Sequence, residues 1–484
     1  MTRRVIALVV VISLWLAGQA LAADDTAGPQ VDGSHTGAVT GDAMAPPLSL
    51  LWSTQLGDFV EQPLLAGGRV FAVAGHDASS GAVTSPGDST LFAFDAGTGA
   101  VLWSRQQTSG ELAFDSGRVF AAGYDPGDIG TLEAFAADSG APLWSTALPR
   151  TNIVQIVADG GTVFAVLDDD ATETDRVVAL DEGTGRTFWS EPVGADFEIA
   201  VDRTAVYEAS GCTAYAYSRS FGSRLWATGG PSPACMAIDL FPSVYRGRVY
   251  SRAPSNTTPA TADNTVFDAA TGRVVGHGFP AVFAPAFSGR HGYFNDGETL
   301  RSVDLETGAV AWAVNAPAGT PTFWADSPVL DNGSIYELQT DGTLRALATS
   351  TGAVQWQTQA LPADAVGPAE SATTLAIGQG LLAVSALSGQ LGEGQLEVYG
   401  DPDAGAPALE NRLPAVAICV VPRLAGATPA AARRELAHAH CALGRIDEPR
   451  HPQRGTRLRA TGSSPRAGTR APAGAAISVR LRPV

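Results

Sequence analysis

The stretch FDAGTGAVLW, residues 94–103, decides the fold of this chain, because close variants of it return along most of the sequence. Its central Asp and Gly residues predict a tight turn, and the apolar residues on both sides predict the two strands of a β-hairpin. A worn copy, FDAATGRVVG at residues 267–276, ends in Gly276 where the other copies end in tryptophan. The tryptophans that end the copies, including an isolated ending LLWS at residues 50–53, are Trp52, Trp103, Trp144, Trp189, Trp226, Trp312 and Trp356.

A second hairpin pattern precedes each copy and completes the repeat. It reads AGGRVF at residues 66–71 and DSGRVF at residues 115–120, and it returns as DNGSIY at residues 331–336. Successive copy endings lie 36 to 51 residues apart, a period typical of propellers and repeat arrays. Two hairpins in each period predict a four-stranded antiparallel blade, and such blades must stack in a ring to bury both of their faces.

The number of blades follows from how the ends of the series fit together. Seven return strands follow an upstream hairpin, counting the worn copy, whereas Trp52 has no hairpin before it. The last block, residues 374–399, contains three strand patterns and no tryptophan ending. We therefore expect the strand around residues 48–56 to complete this last blade and close the ring. The prediction is an all-β, eight-bladed propeller, with seven blades as the alternative if one weak repeat is not a blade.

The repeated tryptophans are predicted to be structural. A residue that returns at the same point of each blade belongs to the packing between neighbouring blades, because a single binding site would not repeat. We expect the whole set to fill the inter-blade interfaces, and we assign no cofactor to it.

The Asp-x-x-Thr-Gly-x-x-x-Trp phrase resembles the repeat of pyrroloquinoline-quinone-like (PQQ-like) β-propellers, and the resemblance covers residues 48–400. That family includes quinone-dependent alcohol dehydrogenases and also cofactor-free propellers that serve as binding scaffolds in the outer membrane. The dehydrogenases carry adjacent cysteines over the quinone and a calcium ion held by Glu, Asn and Asp. No two cysteines are adjacent in this chain, and no such ligand set is apparent from its spacing.

The N-terminal end has the pattern of an exported protein. Residues 1–22 predict a signal peptide, with Arg3 and Arg4 before an apolar run and an Ala-Leu-Ala cleavage site. Residues 23–47 contain few large apolar residues and predict a disordered leader. No later stretch is long enough to cross a membrane as a helix, so we expect a secreted, extracellular or wall-associated protein.

The four cysteines agree with export, because disulfides persist in oxidising compartments. Local pairing would join Cys212 to Cys235 and Cys419 to Cys441, although four cysteines allow three connectivities. None of them forms a Cys-x-x-Cys motif, which argues against zinc, haem or a redox site.

A change of charge marks a second module after a Pro-rich linker at residues 401–416. All 31 basic residues are arginine, and from residue 411 onward 13 of them face 3 acidic residues, whereas the preceding part has a net charge of −28. Residues 417–484 resemble a PASTA domain, on the motifs VPRLAG at residues 421–426 and SSPRAG at residues 463–468. Thr428 predicts the start of a helix that ends near Ala442, and a last strand is expected at residues 476–481. The resemblance implies a small α+β domain that associates with peptidoglycan.

The function that these patterns favour is a non-catalytic scaffold that binds an envelope protein or a glycan. No catalytic motif was found in the sequence, so the prediction assigns no catalytic, cofactor-binding or metal-binding residue. The alternatives are a PQQ-dependent oxidoreductase, for which the quinone and calcium would be the cofactors, and a structural spacer without a ligand. We expect a monomer that binds no nucleic acid.

Overall fold

The computed structural model describes most of the chain from Asp25 onward. The described residues are 25–41, 44–57, 59–75, 89–107, 111–125, 129–149, 152–168, 175–193, 198–210, 213–229, 241–253, 264–316, 326–361, 375–385, 394–411, 413–449 and 457–483. The predicted signal peptide lies outside them, and so do Cys212 and Cys235.

Eight antiparallel sheets of the described residues form the blades of a propeller, which confirms the predicted fold. In each of the first four blades the strands follow one another outward from the central channel. Blade 1 contains β2 (Phe59–Val60), β3 (Leu64–Ala66), β4 (Arg69–Gly75), β5 (Ser89–Asp95) and β6 (Val101–Gln107). Blade 2 contains β7 (Leu112–Asp115), β8 (Arg118–Asp125), β9 (Ile129–Ala136) and β10 (Pro142–Pro149). Blade 3 contains β11 (Asn152–Asp159), β12 (Thr162–Asp168), β13 (Arg176–Asp181) and β14 (Thr187–Pro192). Blade 4 contains β15 (Ile199–Val201), β16 (Ala205–Ser210), β17 (Thr213–Ser218) and β18 (Arg224–Thr228).

The next three blades repeat this order, and the last one combines the two ends of the series. Blade 5 contains β19 (Ser243–Tyr245), β20 (Arg248–Ser251), β21 (Thr265–Asp268) and β22 (Val274–His277). Blade 6 contains β23 (Ala286–Ser288), β24 (His291–Asn295), β25 (Thr299–Asp304) and β26 (Val310–Asn315). Blade 7 contains β27 (Val329–Asp331), β28 (Ser334–Leu338), β29 (Thr343–Ala348) and β30 (Val354–Gln359). Blade 8 contains β31 (Leu375–Gly378), β32 (Leu381–Ser385), β33 (Gln395–Gly400) and, as its outermost strand, β1 (Ser49–Gln55).

The ring closes as the sequence predicted. Strand β1 pairs antiparallel with β33, from Ser49 opposite Gly400 to Gln55 opposite Gln395. An early strand thus completes the blade that the end of the repeat series leaves unfinished. The blade count is eight, and the seven-bladed alternative is not needed.

Burial falls from the channel to the rim of each blade. Strand β4 is buried along its whole length, whereas the outermost strand β30 alternates between exposed and half-buried residues. The apolar residues of the inner three strands therefore form the cores between blades, and the outer strand presents one side to solvent.

The repeated tryptophans join each blade to the next. The indole Nε1 of Trp103 donates a hydrogen bond of 3.0 Å to the carbonyl of Ala137, in the turn between the outer two strands of blade 2. Trp52 makes the same bond across the ring closure, 2.8 Å to Ala96 in blade 1. Equivalent bonds are made by Trp144 to Glu182, Trp189 to Arg219, Trp226 to Ala269 and Trp312 to Thr349. Trp356 precedes the composite blade 8 and packs against Tyr399 there, with ring centroids 6.0 Å apart.

Six of these indoles, all but that of Trp356, lie so close to a turn glycine that a larger residue would not fit. A Cβ added to Gly140 would lie 2.7 Å from the ring of Trp103, and Gly140 also has a φ of +63°. The glycine of the repeated phrase is therefore required both by the turn and by the tryptophan above it.

The junction between blades 5 and 6 is different, because Gly276 stands in the tryptophan position. The turn glycine below it, Gly308, would have no atom within 4 Å of an added Cβ. The turn carbonyl of Leu305 accepts a hydrogen bond from Arg248 at 3.1 Å instead of from an indole. A cluster of aromatic residues nearer the channel packs this junction, and its members are Tyr245, Tyr250, Phe279, Phe287 and Phe294.

The C-terminal residues form a small α+β domain, which we call the tail domain. It contains β34 (Ile418–Val420), α1 (Pro429–His438), β35 (Ala442–Asp447), β36 (Leu458–Ser464), β37 (Arg470–Pro472) and β38 (Ala476–Pro483). Strand β38 lies between β36 and β35, and β34 pairs with β37. The core of the domain includes Leu436 of the helix and Ile477, Val479 and Leu481 of β38.

The tail helix begins where the sequence predicted but ends earlier. Thr428 caps it, with its Oγ1 accepting a hydrogen bond of 3.1 Å from the amide of Ala431. The expected end near Ala442 was wrong, because residues 442–447 form β35 beside β38. The disulfide between Cys419 and Cys441, with Cα atoms 4.8 Å apart, ties the chain just after the helix to β34. Among the described residues, the structure has no helix long and apolar enough to span a membrane.

Candidate functional site

The central channel is filled at one end by the N-terminal segment, so the expectation of a disordered leader was wrong for the described residues 25–41. This end is the one at which the hairpin turns of the blades lie, and we call it the turn face. Buried residues in the segment include Thr26, Gln30, Val31, His35 and Val39. The composition contained no hint of this, because the segment is held mostly through its backbone.

The N-terminal segment is bonded to the blades in the order in which they follow one another around the channel. The innermost strands donate backbone amides at equivalent positions, one residue before the end of the strand or at its end. The bonds run from Phe114 to Ala27, Val201 to Gly33, Val244 to Ser34, Phe287 to Thr36 and Leu330 to Gly37, at 2.5–2.9 Å. In blades 1 and 8 the carbonyls of Leu65 and Ile377 accept from the amide and hydroxyl of Thr26.

The physical reason for this arrangement is that each innermost strand is the edge of its sheet. An edge strand has amide and carbonyl groups without a partner strand, and a buried amide without a partner is costly. The N-terminal segment supplies acceptors to five blades and donors to two others. It is therefore part of the propeller and not an appendage to it.

Glycines allow the segment to approach the channel wall closely. A Cβ added to Gly33 would lie 2.9 Å from Cγ1 of Val157 in blade 3. A Cβ added to Gly37, which has a φ of +65°, would lie 2.8 Å from Cβ of Ala286. The glycine-rich composition that indicated disorder is here a requirement of the narrow channel.

Two titratable residues of the segment are buried in the channel. Asp32 accepts hydrogen bonds from the amides of Ser34 and Thr36, both at 3.0 Å, and burial raises the pKa of its carboxyl. His35 donates from Nδ1 to the carbonyl of Pro242 at 2.9 Å, and its ring lies 4.2 Å from that of Phe241. Burial lowers the pKa of His35 to about 4, so the imidazole is neutral at physiological pH.

Acidic residues and one arginine lie beside the innermost strands beyond the segment. Glu61, Glu111 and Glu198 precede or flank the innermost strands of blades 1, 2 and 4. Burial raises the pKa of Glu111 well above its usual range, and the charges of Glu198 and Glu61 raise it further. Arg252 donates to the carbonyl of Val282 at 2.8 Å and lies over the ring of Phe241, 5.4 Å from its centroid. Burial lowers its pKa to about 10.

At the turn face, the described residues do not fit the quinone and calcium that the dehydrogenase alternative would need. The N-terminal segment occupies the channel at the turn face and bonds to seven of the eight blades there. Within the described ranges, no group of three or more His, Cys, Asp or Glu side chains could hold a metal ion. We therefore derive no chemical step through a quinone or a metal.

The linker, residues 401–416, lies against the turn face outside the channel. Arg69, the first residue of β4, donates to the carbonyl of Glu410 at 2.8 Å and to Oδ1 of Asn411 at 2.6 Å. Arg118, at the same position in blade 2, donates to the carbonyl of Pro414 at 2.8 Å. Both arginines are buried, so the linker covers blades 1 and 2.

Arg118 also contacts an acidic side chain beneath the linker. Its Nη1 lies 3.3 Å from Oε1 of Glu182, which is fully buried. Burial and the nearby charge of Asp115 raise the pKa of Glu182 to about 9, although Arg118 acts in the opposite direction. Glu182 is thus protonated at neutral pH, and this contact is a hydrogen bond within a buried polar group rather than a strong ion pair.

The tail domain contacts the ring at blades 3 and 4. Arg470 of β37 lies 3.4 Å from Oδ2 of Asp181, and Phe221 of blade 4 packs against the core of the tail domain. The linker and these contacts place the tail domain beside the turn face.

The residues predicted from sequence fall into three groups. The tryptophans lie at the blade junctions, and Cys419 and Cys441 form a disulfide, whereas Cys212 and Cys235 lie outside the described residues. Sequence reasoning missed the N-terminal segment and the two linker arginines. The repeated Gly-Arg-Val-Phe pattern was a usable signal for Arg69 and Arg118, since a charged residue at the start of an otherwise buried strand needs a partner.

Comparison with known proteins agrees with the architecture. A family model described as outer membrane protein assembly factor BamB matches overlapping stretches, residues 26–127, 87–190, 128–278 and 262–406. No curated protein matches the chain.

Solved structures with the same fold include BamB and dehydrogenases. BamB from Moraxella catarrhalis is 15% identical, with a TM-score of 0.51 over 73% of this chain and 100% of that one. The quinohemoprotein alcohol dehydrogenase from Comamonas testosteroni is 12% identical, with a TM-score of 0.59 over 82% of each chain. A europium-containing methanol dehydrogenase is also 12% identical, with a TM-score of 0.54 over 78% of this chain and 98% of that one. At these identities the likeness shows the fold alone.

Proposed function

We propose, because this chain belongs to the family described as outer membrane protein assembly factor BamB, that it is a non-catalytic binding scaffold of the cell envelope or exterior. The propeller binds a protein or glycan partner, acts as a monomer, and is exported by the signal peptide at residues 1–22. The tail domain, on its resemblance to PASTA domains, associates with peptidoglycan.

The observation that carries this proposal is the N-terminal segment in the channel. A segment bonded to seven blades at the turn face leaves no room there for a cofactor, and it makes the ring a rigid support for its surface loops. The poor fit of the described residues to quinone and calcium weighs against the oxidoreductase alternative.

The structural-spacer alternative is disfavoured by the way the tail domain is attached. A spacer would need a free linker, whereas residues 401–416 are held by Arg69 and Arg118, and the tail domain contacts blades 3 and 4. The net charge of +10 from residue 411 onward supports binding to an anionic polymer instead.

The experiment that tests the proposal is co-sedimentation with purified bacterial cell walls. The chain from Ala23 onward is compared with a version that stops at Ala417, because an earlier stop would remove the partners of Arg69 and Arg118. We expect the full chain to pellet at physiological salt and, in part, at high salt, and the shortened chain to stay in solution. Equal pelleting of the two forms, or none, would refute a wall-binding tail.

The scaffold role of the propeller is tested separately with the shortened chain. Chemical cross-linking in intact cells should capture the same envelope partner with the full chain and with the shortened chain. Quinone- and calcium-dependent oxidation of an alcohol by the purified protein would overturn the non-catalytic proposal.

A further inference from the structure

The tail domain has a sheet with one covered and one open face. Along β38 the side chains alternate, so that Ile477, Val479 and Leu481 are buried in the core beneath α1. Ser478 and Arg480 therefore point to the other face, since neighbouring residues of a strand face opposite sides. A groove lies on that open face, and none of its lining residues belongs to the described parts of α1 or β34.

The neighbouring strands complete a polar groove around Arg480. Strand β36 pairs with β38 so that Gly462 lies opposite Arg480, and β35 pairs so that Asp447 lies opposite the same arginine. The groove has a volume of about 290 Å³, near the lower end of the range for small-ligand sites. The residues that line it include Arg445, Asp447, Thr461, Ser463, Ser464 and Arg480.

Asp447 lies near both arginines of the groove, but it does not occupy most of their N–H donors. Arg445 and Arg480 lie 3.8 Å and 3.9 Å from the two carboxylate oxygens of Asp447, which are long distances for ion pairs. Their side chains remain 83% and 64% exposed, so most of their N–H donors face solvent. Asp447 thus positions both guanidinium groups at one side of the groove and leaves a net positive charge.

We propose that this groove binds a carboxylate-bearing segment of a wall glycan. Arg445 and Arg480 pair with the carboxylate, and the hydroxyls of Thr461 and Ser464 bond to sugar or amide groups beside it. Guanidinium groups suit carboxylates because their planar donors match the two oxygens. The inference rests on the proposed association of the tail domain with peptidoglycan and assigns the site of that association.

Charge alone would favour any polyanion on any basic surface, and the chain offers a control for this. Arg433 and Arg434 are exposed on α1, which covers the opposite face of the sheet. Replacing both by Gln removes the same charge as replacing Arg445 and Arg480, but it leaves the groove intact. A diffuse electrostatic attraction would weaken equally in the two double variants.

The test uses the chain from Ala23 onward with two soluble probes, measured by isothermal titration calorimetry and ligand-observed NMR. The first probe is muramyl dipeptide, which carries one free carboxylate, and the second is N-acetylglucosamine trimer, which carries none. We expect R445Q/R480Q to weaken binding of muramyl dipeptide by roughly tenfold or more, as for a lost charged hydrogen bond. R433Q/R434Q should stay within about twofold, and the neutral trimer should bind weakly to all forms.

A variant that should strengthen binding distinguishes loss of the site from a simple folding defect. Asp447→Asn removes the carboxylate that competes for the two arginines, so it should tighten binding of muramyl dipeptide by roughly two- to threefold. If R445Q/R480Q bound muramyl dipeptide as tightly as the wild type, the groove would not be the binding site. The proposed function would still stand in that case, provided that the full chain pelleted with cell walls. Failure of the full chain to pellet or to bind the probe would overturn both.

Discussion

The two segments that flank the ring, the N-terminal segment and the linker, are both poor in large apolar residues but are attached by different means. Residues 25–41 contain four glycines and one proline, whereas residues 401–416 contain one glycine and three prolines. The N-terminal segment is bonded through the backbone of the innermost strands around the whole channel. The linker is bonded on blades 1 and 2 mainly by two arginine side chains, together with one backbone hydrogen bond of 3.0 Å from the amide of Glu410 to the carbonyl of Gly67. Low apolar content therefore does not decide whether a segment is part of a fold.

The difference follows from what each segment meets. The channel presents a ring of sheet edges, and their buried amides need acceptors from any chain that fills the space. The turn face presents finished hairpins, most of whose backbone groups are bonded within the turns, so side chains supply most of the bonds that hold the linker, and the carbonyl of Gly67 adds one. The N-terminal segment should thus contribute to the stability of all blades, and the linker only locally.

The largest expected effect is the loss of the N-terminal segment. Deleting residues 25–41 while keeping β1 would leave five buried amides without acceptors, at about 1–3 kcal/mol each. We expect the ring to unfold or to become molten, because the sum approaches the whole stability of a domain. Urea unfolding followed by circular dichroism, with size-exclusion chromatography, measures this.

The matched control for that deletion replaces linker residues 404–411 by a Gly-Ser sequence of equal length. It should leave the ring folded, since the bonds affected on blade 1 are confined to those with Arg69 and Gly67. A deletion variant that elutes and unfolds like the wild type would remove the claim that the N-terminal segment belongs to the fold.

The next effect is the part of the pH dependence that His35 contributes through the N-terminal segment. His35 has its pKa lowered by burial from 6.5 to about 4. Between these values the unfolded chain binds a proton that the folded chain does not, so the free energy of unfolding falls as the pH drops from about 6.5 to 4. The loss attributable to His35 is at most about 3 kcal/mol.

Urea unfolding at a series of pH values checks this, with His35→Gln as the variant. The variant is expected to be less stable at pH 7, because it loses the bond to Pro242, but its stability should change less between pH 6.5 and 4. The linker contains no histidine, so linker variants should keep the wild-type slope. An unchanged slope in His35→Gln would show that the imidazole is hydrated in the folded protein.

A smaller effect compares two glycines, one in each segment. Gly37 and Gly405 have φ values of +65° and +76°, so Ala at either position carries a similar backbone cost of about 1–2 kcal/mol. A Cβ at Gly37 would also overlap Gln30 and Ala286, whereas a Cβ at Gly405 would meet nothing within 4 Å. We expect Gly37→Ala to cost about 2 kcal/mol more than Gly405→Ala in thermal unfolding. Equal costs would mean that the channel can widen around the segment.

The sequence predicted the parts of this molecule that repeat. One phrase returns along the chain with the same turn residues and similar spacing. It was enough to predict the eight blades, the closing strand β1 and the packing role of Trp103. The cap at Thr428 was predictable because it depends on local chemistry alone.

The channel contents were not predictable, for a physical reason. The bonds to Ser34 and Thr36 come from amides of Val244 and Phe287, more than 200 residues away, and backbone bonds leave no mark on side-chain pattern. The tail helix was predicted too long for a related reason, since the pairing of β35 with β38 depends on a distant strand. The groove around Arg480 likewise exists only once three separated strands are in register.

The smallest expected effect concerns the linker arginines. Arg69→Met would keep the apolar length of the side chain and lose the bonds to the carbonyl of Glu410 and to Asn411. The freed linker groups face solvent and can bond to water, so we expect a cost of only about 1–2 kcal/mol in global unfolding. The local effect should be larger, as faster amide hydrogen exchange over residues 406–411.

The control is Arg248→Met, at the position of blade 5 that corresponds to Arg69, because Arg248 bonds to the turn carbonyl of Leu305 and not to the linker. Its exchange pattern in the linker should match that of the wild type. Faster exchange in Arg69→Met alone would establish that the Arg69 side chain holds the linker in addition to the backbone bond between Glu410 and Gly67. If exchange in the linker were equal in both variants, the linker would be held by its connection to the docked tail domain. The contact between Arg470 and Asp181 would then be the next one to remove.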